Sequence, residues 1–379
     1  MSQDDVWSNV RGTGPKEATM YVAGIDAHAT YLVVAIVSKT GELAERAVRI
    51  ANPDVGRLVE LLRQYRPVEV VVETCPAWPW LHDVLVVDGH AFVLAHAKKL
   101  RAIAESNYKR DEIDAELLAR MQLAGLIPRA HPKDILAREQ ATLVRHRARL
   151  VRLRTGAAGR IHAELHSVGL HLERGRLLTR GGRQWVRTEA WPIFGPEQRR
   201  LVRTHWALIK GLSTMIRSLD RQIERVGAEI PAVGLLRTIP GIGPYRGLMI
   251  ATEVLPIERF PRPEHLVSYA GLAPCTSQSG LRSIRHGRIP AGANRWLRGA
   301  YVKGVVSHLQ HAPESWLTRY YTEQKKRLGW QVARIATARK LARATHAMLR
   351  TGEVWREEEP SGERSELPRP HVAPTTRTA

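Results

Sequence analysis

Four carboxylates and two serines carry the reactive chemistry this sequence offers. Asp26 stands in GIDAHA (24–29), between small residues on a segment otherwise too apolar to welcome a charge. Burying a lone carboxylate there costs on the order of several kcal/mol unless something compensates it. Glu73 closes the apolar run VEVVVET (68–74) and faces the same predicament. Asp111 and Asp114 are three residues apart at the start of a helical pattern, DEIDAELLARM, so both carboxylates lie on one face. Two acids at strand ends and two on one helix can converge on one or two divalent cations, as two-metal phosphoryl transfer requires. Taken singly, each acid has a plainer reading: Asp111 and Asp114 as first-turn acids favoured by the helix dipole, Asp26 and Glu73 as solvated strand ends. Ser277 and Ser279 lie in CTSQSG (275–280), a segment of small polar residues. A deprotonated serine beside cations can attack a phosphodiester and hold it as a phosphoserine ester. His28 and His286 are near these groups in sequence and can shuttle protons.

The charge balance says what such a site would act on. The 379 residues carry 58 Lys and Arg against 37 Asp and Glu, a net charge of +21. A surplus of that size on an otherwise globular composition favours a polyanion, because phosphate neutralisation releases counterions. Arg282, Arg285, Arg288, Arg295 and Arg298 follow the serines directly and suit phosphate contacts. Between positions 138 and 160 seven Arg face one Glu, and Arg145, Arg149 and Arg152 are the candidate phosphate contacts of that stretch. No apolar run approaches the roughly 18–20 residues of a membrane helix. The opening MSQDDVWSNVRGTG lacks a basic n-region and an apolar h-region, and the two cysteines, Cys75 and Cys275, lie far apart. These features point to a cytoplasmic, nucleoid-associated protein.

Positioning the acids requires a particular order of elements. Residues 1–19 read as a disordered leader. Stretches 21–26, 30–38 and 43–51 are dense in β-branched residues and separated by short turns, which predicts an antiparallel meander. The spacing of Val55, Leu58, Val59, Leu61 and Leu62 predicts a crossover helix over 53–65, followed by a buried strand at 68–74. A helix at 78–87, a strand at 90–96 and helices near 97–106 and 111–124 complete an RNase H-like element order. A catalytic α/β domain is thus expected over 20–130. Residues 131–230 read as a basic coiled-coil arm, with long helices at 135–170 and 197–230 and a loop or hairpin tip at 171–195. A mostly helical domain is expected over 231–351. In it, Pro-Gly-Ile-Gly (240–243) resembles a helix-hairpin-helix turn whose amides at Gly241 and Gly243 can hold a phosphate, or else a simple tight turn. The proline-rich residues 352–379 read as a disordered tail.

GID at 24–26, VVVET at 70–74 and the Lys-x-Asp-x-x-Asp-Ala segment at 109–115 resemble the N-terminal domain of the DEDD transposases of insertion sequences, the family that includes the Piv-type invertases. IPGIGP (239–244), YAGLAP (269–274), Ser279-Gly280 and the Gly-x-x-x-x-Gly-x-x-x-x-Leu-Arg run at 287–298 resemble its C-terminal domain. The resemblance covers roughly residues 20–350. It implies a RuvC-like catalytic domain holding Mg²⁺, with Mn²⁺ as a substitute, at Asp26, Glu73, Asp111 and Asp114. It further implies Ser279 as nucleophile, donor and target DNA as substrates, and a structured guide RNA encoded by the element. Gln278 stands where many relatives have a second serine, which keeps Ser277 in play. Because recombination handles several strand ends, a homodimer or homotetramer is expected. Two rivals predict different behaviour. A structure-specific endonuclease using water as nucleophile would keep cleaving after Ser279→Ala, and a non-catalytic nucleic-acid-binding protein would not cleave at all.

Overall fold

The computed structural model describes residues 21–101, 110–273, 276–277, 285–286 and 293–357. Contacts divide the chain into two units, residues 1–137 and 138–379.

The first unit is a mixed sheet with helices on both faces. Strands β1 (Tyr21–Ala27), β2 (Tyr31–Ser38) and β3 (Leu43–Ala51) form the expected antiparallel meander. Helix α1 (Val55–Arg63), N-capped by the Asp54 carboxylate, crosses over to β4 (Val68–Glu73), which runs parallel to β1. Helix α2 (Trp78–Val87) leads to β5 (Ala91–Ala95), parallel to β4. Helices α3 (Ala97–Arg101) and α4 (Asp111–Leu123) follow, and β6 (Arg129–Ala130) closes the edge antiparallel to β5. The order β3-β2-β1-β4-β5-β6 is consistent with an RNase H-like fold.

Strand alternation sorts the side chains into two cores. Ala23, Ile25, Val70 and Val72 pack with Leu58, Leu62, Leu81 and Leu85 of α1 and α2. Val22, Val71 and Val93 pack on the opposite face with Leu118 and Ala119 of α4, while Val33 and Ala35 meet Ala115 there. Gly24, Asp26 and Glu73 have the parity of Val22 and Val71, so they belong to the α4 face. A Cβ on Gly24 would lie 1.9 Å from the Ala115 carbonyl oxygen and 2.8 Å from the Ala119 nitrogen. Only glycine lets α4 rest backbone-to-backbone on β1 at this point.

The second unit is mostly helical. Helix α5 (Ile135–Ser167) starts in the first unit and runs on as the first element of the second. It pairs antiparallel with α7 (Pro196–Ala228), as shown by Arg147 with Asp220, Leu150 with Leu212 and Ile216, and Glu164 with Gln198. Residues 171–195 are not an open loop. They form a helical cap with α6 (Arg180–Trp185) and a π-helical turn (Val186–Ala190), because Leu172, Leu177, Val186, Ala190 and Phe194 bury themselves against the helix pair. Beyond it come α8 (Pro231–Arg237), α9 (Pro244–Val254), α10 (Pro263–Tyr269), α11 (Arg295–His311) and α12 (Trp316–Thr351), the last interrupted at Gly329. Two short strands, β7 (Thr276–Ser277) and β8 (Arg285–His286), pair antiparallel within the basic stretch. No described helix is long and apolar enough to cross a membrane.

Candidate active site

The candidate site lies at the carboxyl ends of β1 and β4. These strands are in parallel register through Ile25 and Val72, so Asp26 and Glu73 are the next residues on neighbouring strands. The α4 backbone sits on Gly24, which brings its first turn, with Asp111 and Asp114, beside Asp26. Oxygens of Asp26 and Asp111 and a ring nitrogen of His28 lie within 4.8 Å of one another. His28 Nε2 is 3.0 Å from Asp26 Oδ2 and 3.4 Å from Asp111 Oδ2. Asp114 is close enough to act on Asp26, whose carboxyl is pushed above the usual carboxylate range. Burial is the largest cause; Asp114 and Asp111 add to it, and His28 opposes it. Burial is also the largest cause of the raised Cys75 thiol pKa, with contributions from both Glu73 and Asp26.

Two further side chains, Tyr31 and Arg49, complete the surroundings, and neither was singled out by spacing. The Tyr31 hydroxyl donates to Asp111 Oδ2 at 2.8 Å. The His28 ring stacks on Tyr31 with centroids 4.5 Å apart, and the Arg49 guanidinium lies 3.5 Å from the Tyr31 centroid on the same ring system. Val33 pairs with Asp26 on one side and with Arg49 on the other, so hairpin register puts Tyr31, Arg49 and the acids on one face.

The donor set fits a divalent cation. The carboxylate oxygens are the donors that hard divalent cations take, the His28 imidazole is a donor that softer ones also accept, and the 4.8 Å spread lets one ion reach all three. His28 Nε2 is buried without a well-formed hydrogen bond, although two carboxylates flank it.

The other residues marked by spacing are distributed through the second unit. Arg145 is committed to the buried Glu253, whereas Arg149 and Arg152 are exposed, with Arg152 over the Trp296 ring at 5.3 Å. Gly241, with φ of +84°, meets the α11 backbone: a Cβ there would lie 2.6 Å from the His308 nitrogen. This turn is therefore closed by packing on that side, while Gly243 caps α9 with open space around it. Arg295 is exposed and Arg298 half-buried in the first turn of α11. Ser277 and Arg285 fall in the β7–β8 pair, and Ser279, Arg282 and Arg288 lie outside the described residues.

Comparison with known proteins gives these features a family. Residues 23–169 match the model of the IS110-type DEDD domain, described as a transposase, and residues 233–322 match the Transposase IS116/IS110/IS902 family. The insertion element IS110 uncharacterized 43.6 kDa protein of Streptomyces coelicolor is 33% identical over 38% of this chain and 36% of its own length. The transposase for insertion sequence element IS1111A of Coxiella burnetii is 23% identical over 76% of this chain and 79% of its own. The pilin gene-inverting protein of Moraxella bovis is 31% identical over 38% of this chain and 45% of its own. Both models are matched in order along one sequence, so in its two parts the chain is similar to the DEDD transposases of insertion sequences.

Proposed function

We propose that the protein cuts and rejoins DNA at a site formed by Asp26, Glu73, Asp111 and Asp114, with a serine as nucleophile. The observation that supports this most is the convergence of Asp26, Asp111 and His28 within 4.8 Å with no Lys or Arg bonded to either acid among the described residues. A bound Mg²⁺ or Mn²⁺ would offset the charge that builds on the phosphate during strand exchange. Asp26 and Glu73 hold their places on strand ends, and Asp111 is anchored by the Tyr31 hydroxyl.

Ser279, or Ser277, attacks the phosphorus of the scissile phosphodiester. The new Oγ–P bond forms as the bond from phosphorus to one deoxyribose oxygen breaks. The serine proton leaves to a base, and the departing oxygen takes up a proton. One phosphate ester replaces another, so attack by a second DNA hydroxyl reverses the step and rejoins the strands with no external energy source. Arg149, Arg152, Arg295 and Arg298, with Arg282, Arg285 and Arg288, would hold DNA phosphates, and the open space around Gly243 would let a phosphate approach the start of α9. A structured RNA from the element and a dimer or tetramer complete the reading.

The test is incubation with Mg²⁺, cognate DNA and the candidate flanking RNA, read by denaturing gel and peptide mass spectrometry. A covalent adduct on Ser279 that is lost in Ser279→Ala supports serine chemistry. Metal-dependent cleavage that persists in Ser279→Ala without any adduct would replace it with a hydrolytic nuclease.

A further inference from the structure

The helical cap and the helix pair beneath it border a cavity of about 670 Å³, open to solvent, that the cleavage reading does not use. Arg154, Arg183, Arg187, Lys210 and Arg217 line it, together with Trp206, and no carboxylate does. None of these five cations forms an ion pair with a carboxylate among the described residues. Arg145 and Arg147 on the same α5 are, by contrast, each bonded to an acid. Two donors in the lining are buried with no hydrogen-bond partner: Arg154 Nε and Trp206 Nε1. Buried donors left unsatisfied are costly to a fold, so the cavity suits an acceptor that the lining does not supply.

The local backbone is shaped to keep the cations there. A Cβ on Gly182 would lie 1.9 Å from the Arg176 carbonyl oxygen, so α6 is pressed onto the preceding turn. Arg183 donates to the Leu178 carbonyl at 2.7 Å, which fixes its direction. Arg187 projects from the π-helical turn, where the Trp191 amide bonds to the Val186 carbonyl, a distortion often found at functional sites. A second cavity of about 690 Å³ shares Arg183 and Arg187 with the first and adds Arg180. Two cavities in series through shared guanidinium groups suit successive phosphates on a backbone better than a single small anion.

We propose that this cap is a nucleic-acid backbone site, in which the phosphates of one strand occupy the two cavities and accept from Arg154, Trp206, Arg183 and Arg187. The shared chemistry is the phosphodiester chain, and DNA and RNA are its two sources. The proposal requires only that the protein binds nucleic acid, not that it cleaves it.

Fluorescence anisotropy of the full-length protein tests it, using a labelled DNA duplex, a single-stranded DNA and an RNA hairpin across a salt series. The variant Arg183→Ala/Arg187→Ala/Lys210→Ala alters three exposed side chains, and an unchanged melting profile verifies its fold. It is expected to bind at least one of the three probes about ten-fold or more weakly, with a salt slope lower by roughly 2–3 for the charges removed. Loss confined to the RNA hairpin identifies RNA as the occupant, and loss confined to either DNA identifies DNA. The comparison variant Lys325→Ala/Lys326→Ala/Arg327→Ala removes three exposed cations elsewhere and is expected to lose much less. Unchanged affinity and slope for all three probes, or an equal loss in the comparison variant, overturns the site. The readout is binding and not cleavage, so failure of the cleavage chemistry leaves the test intact.

Discussion

Asp26 in the first unit and Glu253 in the second are both carboxylates withdrawn from water, and the chain treats them in opposite ways. Glu253 is 1% exposed and fully answered: Arg145 donates through Nε at 3.2 Å and Nη2 at 2.5 Å, and Asn294 Nδ2 at 2.8 Å. Asn294 also caps α11 and bonds to the Tyr269 hydroxyl, so this cluster ties helices together and is closed. Asp26 instead has two more carboxylates, Asp111 and Asp114, for company and a single imidazole between them. A buried acid answered by Arg is part of the scaffold; an acid crowded by other acids waits for a cation from outside.

The largest effect should follow Asp26→Asn, which removes one donor from the open cluster. Strand cleavage is expected to fall by about 10³-fold while the metal-free protein becomes more stable, since one repelling charge is gone. Comparing cleavage rates with urea midpoints checks both halves. Arg145→Ala should do the reverse by taking the guanidinium away from the buried Glu253 carboxylate, at a cost of about 3–5 kcal/mol in a denaturation curve. A destabilised Asp26→Asn with a neutral Arg145→Ala would break the comparison.

Gly24→Ala tests the packing that assembles the open cluster. Its new Cβ meets the Ala115 carbonyl, so α4 must move; about 1–3 kcal/mol of stability and most of the cleavage activity should be lost together. Tyr31→Phe keeps the stack with His28 but frees Asp111, and a roughly ten-fold drop in activity or metal affinity with an unchanged melting profile is expected.

The smallest effect is a difference of sign with pH inside the first unit. Asp88 is held at about 2, chiefly by hydrogen bonds from Arg63, with Arg66 at 2.6 Å adding to it. A folded value below the unfolded one of about 3.9 gives stability that is present above about pH 4 and lost as pH falls towards 2. Asp26 has a raised value, so metal-free protein gains stability as pH falls through it. Urea titrations of Asp88→Asn and Asp26→Asn against pH should therefore lose opposite slopes.

Much of the open cluster was legible because it is local. Strand alternation placed Asp26 and Glu73 at strand ends, and a three-residue step put Asp111 and Asp114 on one helical face. The element order of the first unit followed from β-branched runs and turns for the same reason. What could not be read was whatever depends on distant partners. Arg145 and Arg149 look alike in sequence, and only the packing of α9 against the helix pair commits the first to Glu253. The cap at 171–195 reads as an Arg- and Gly-rich loop because its five buried apolar residues lack one regular period. Tyr31 acts through a register that becomes visible only once β1, β2 and β3 are paired.

Divalent-cation binding to metal-free protein tests the central claim most directly. Thermal midpoints would be followed through a Mn²⁺ titration at neutral pH, for the unaltered chain and for Asp26→Asn/Asp111→Asn. The account predicts a midpoint that climbs with Mn²⁺ in the first and stays flat, from a higher metal-free start, in the second. An equal climb in both would place the cation elsewhere and contradict the assignment of the cluster.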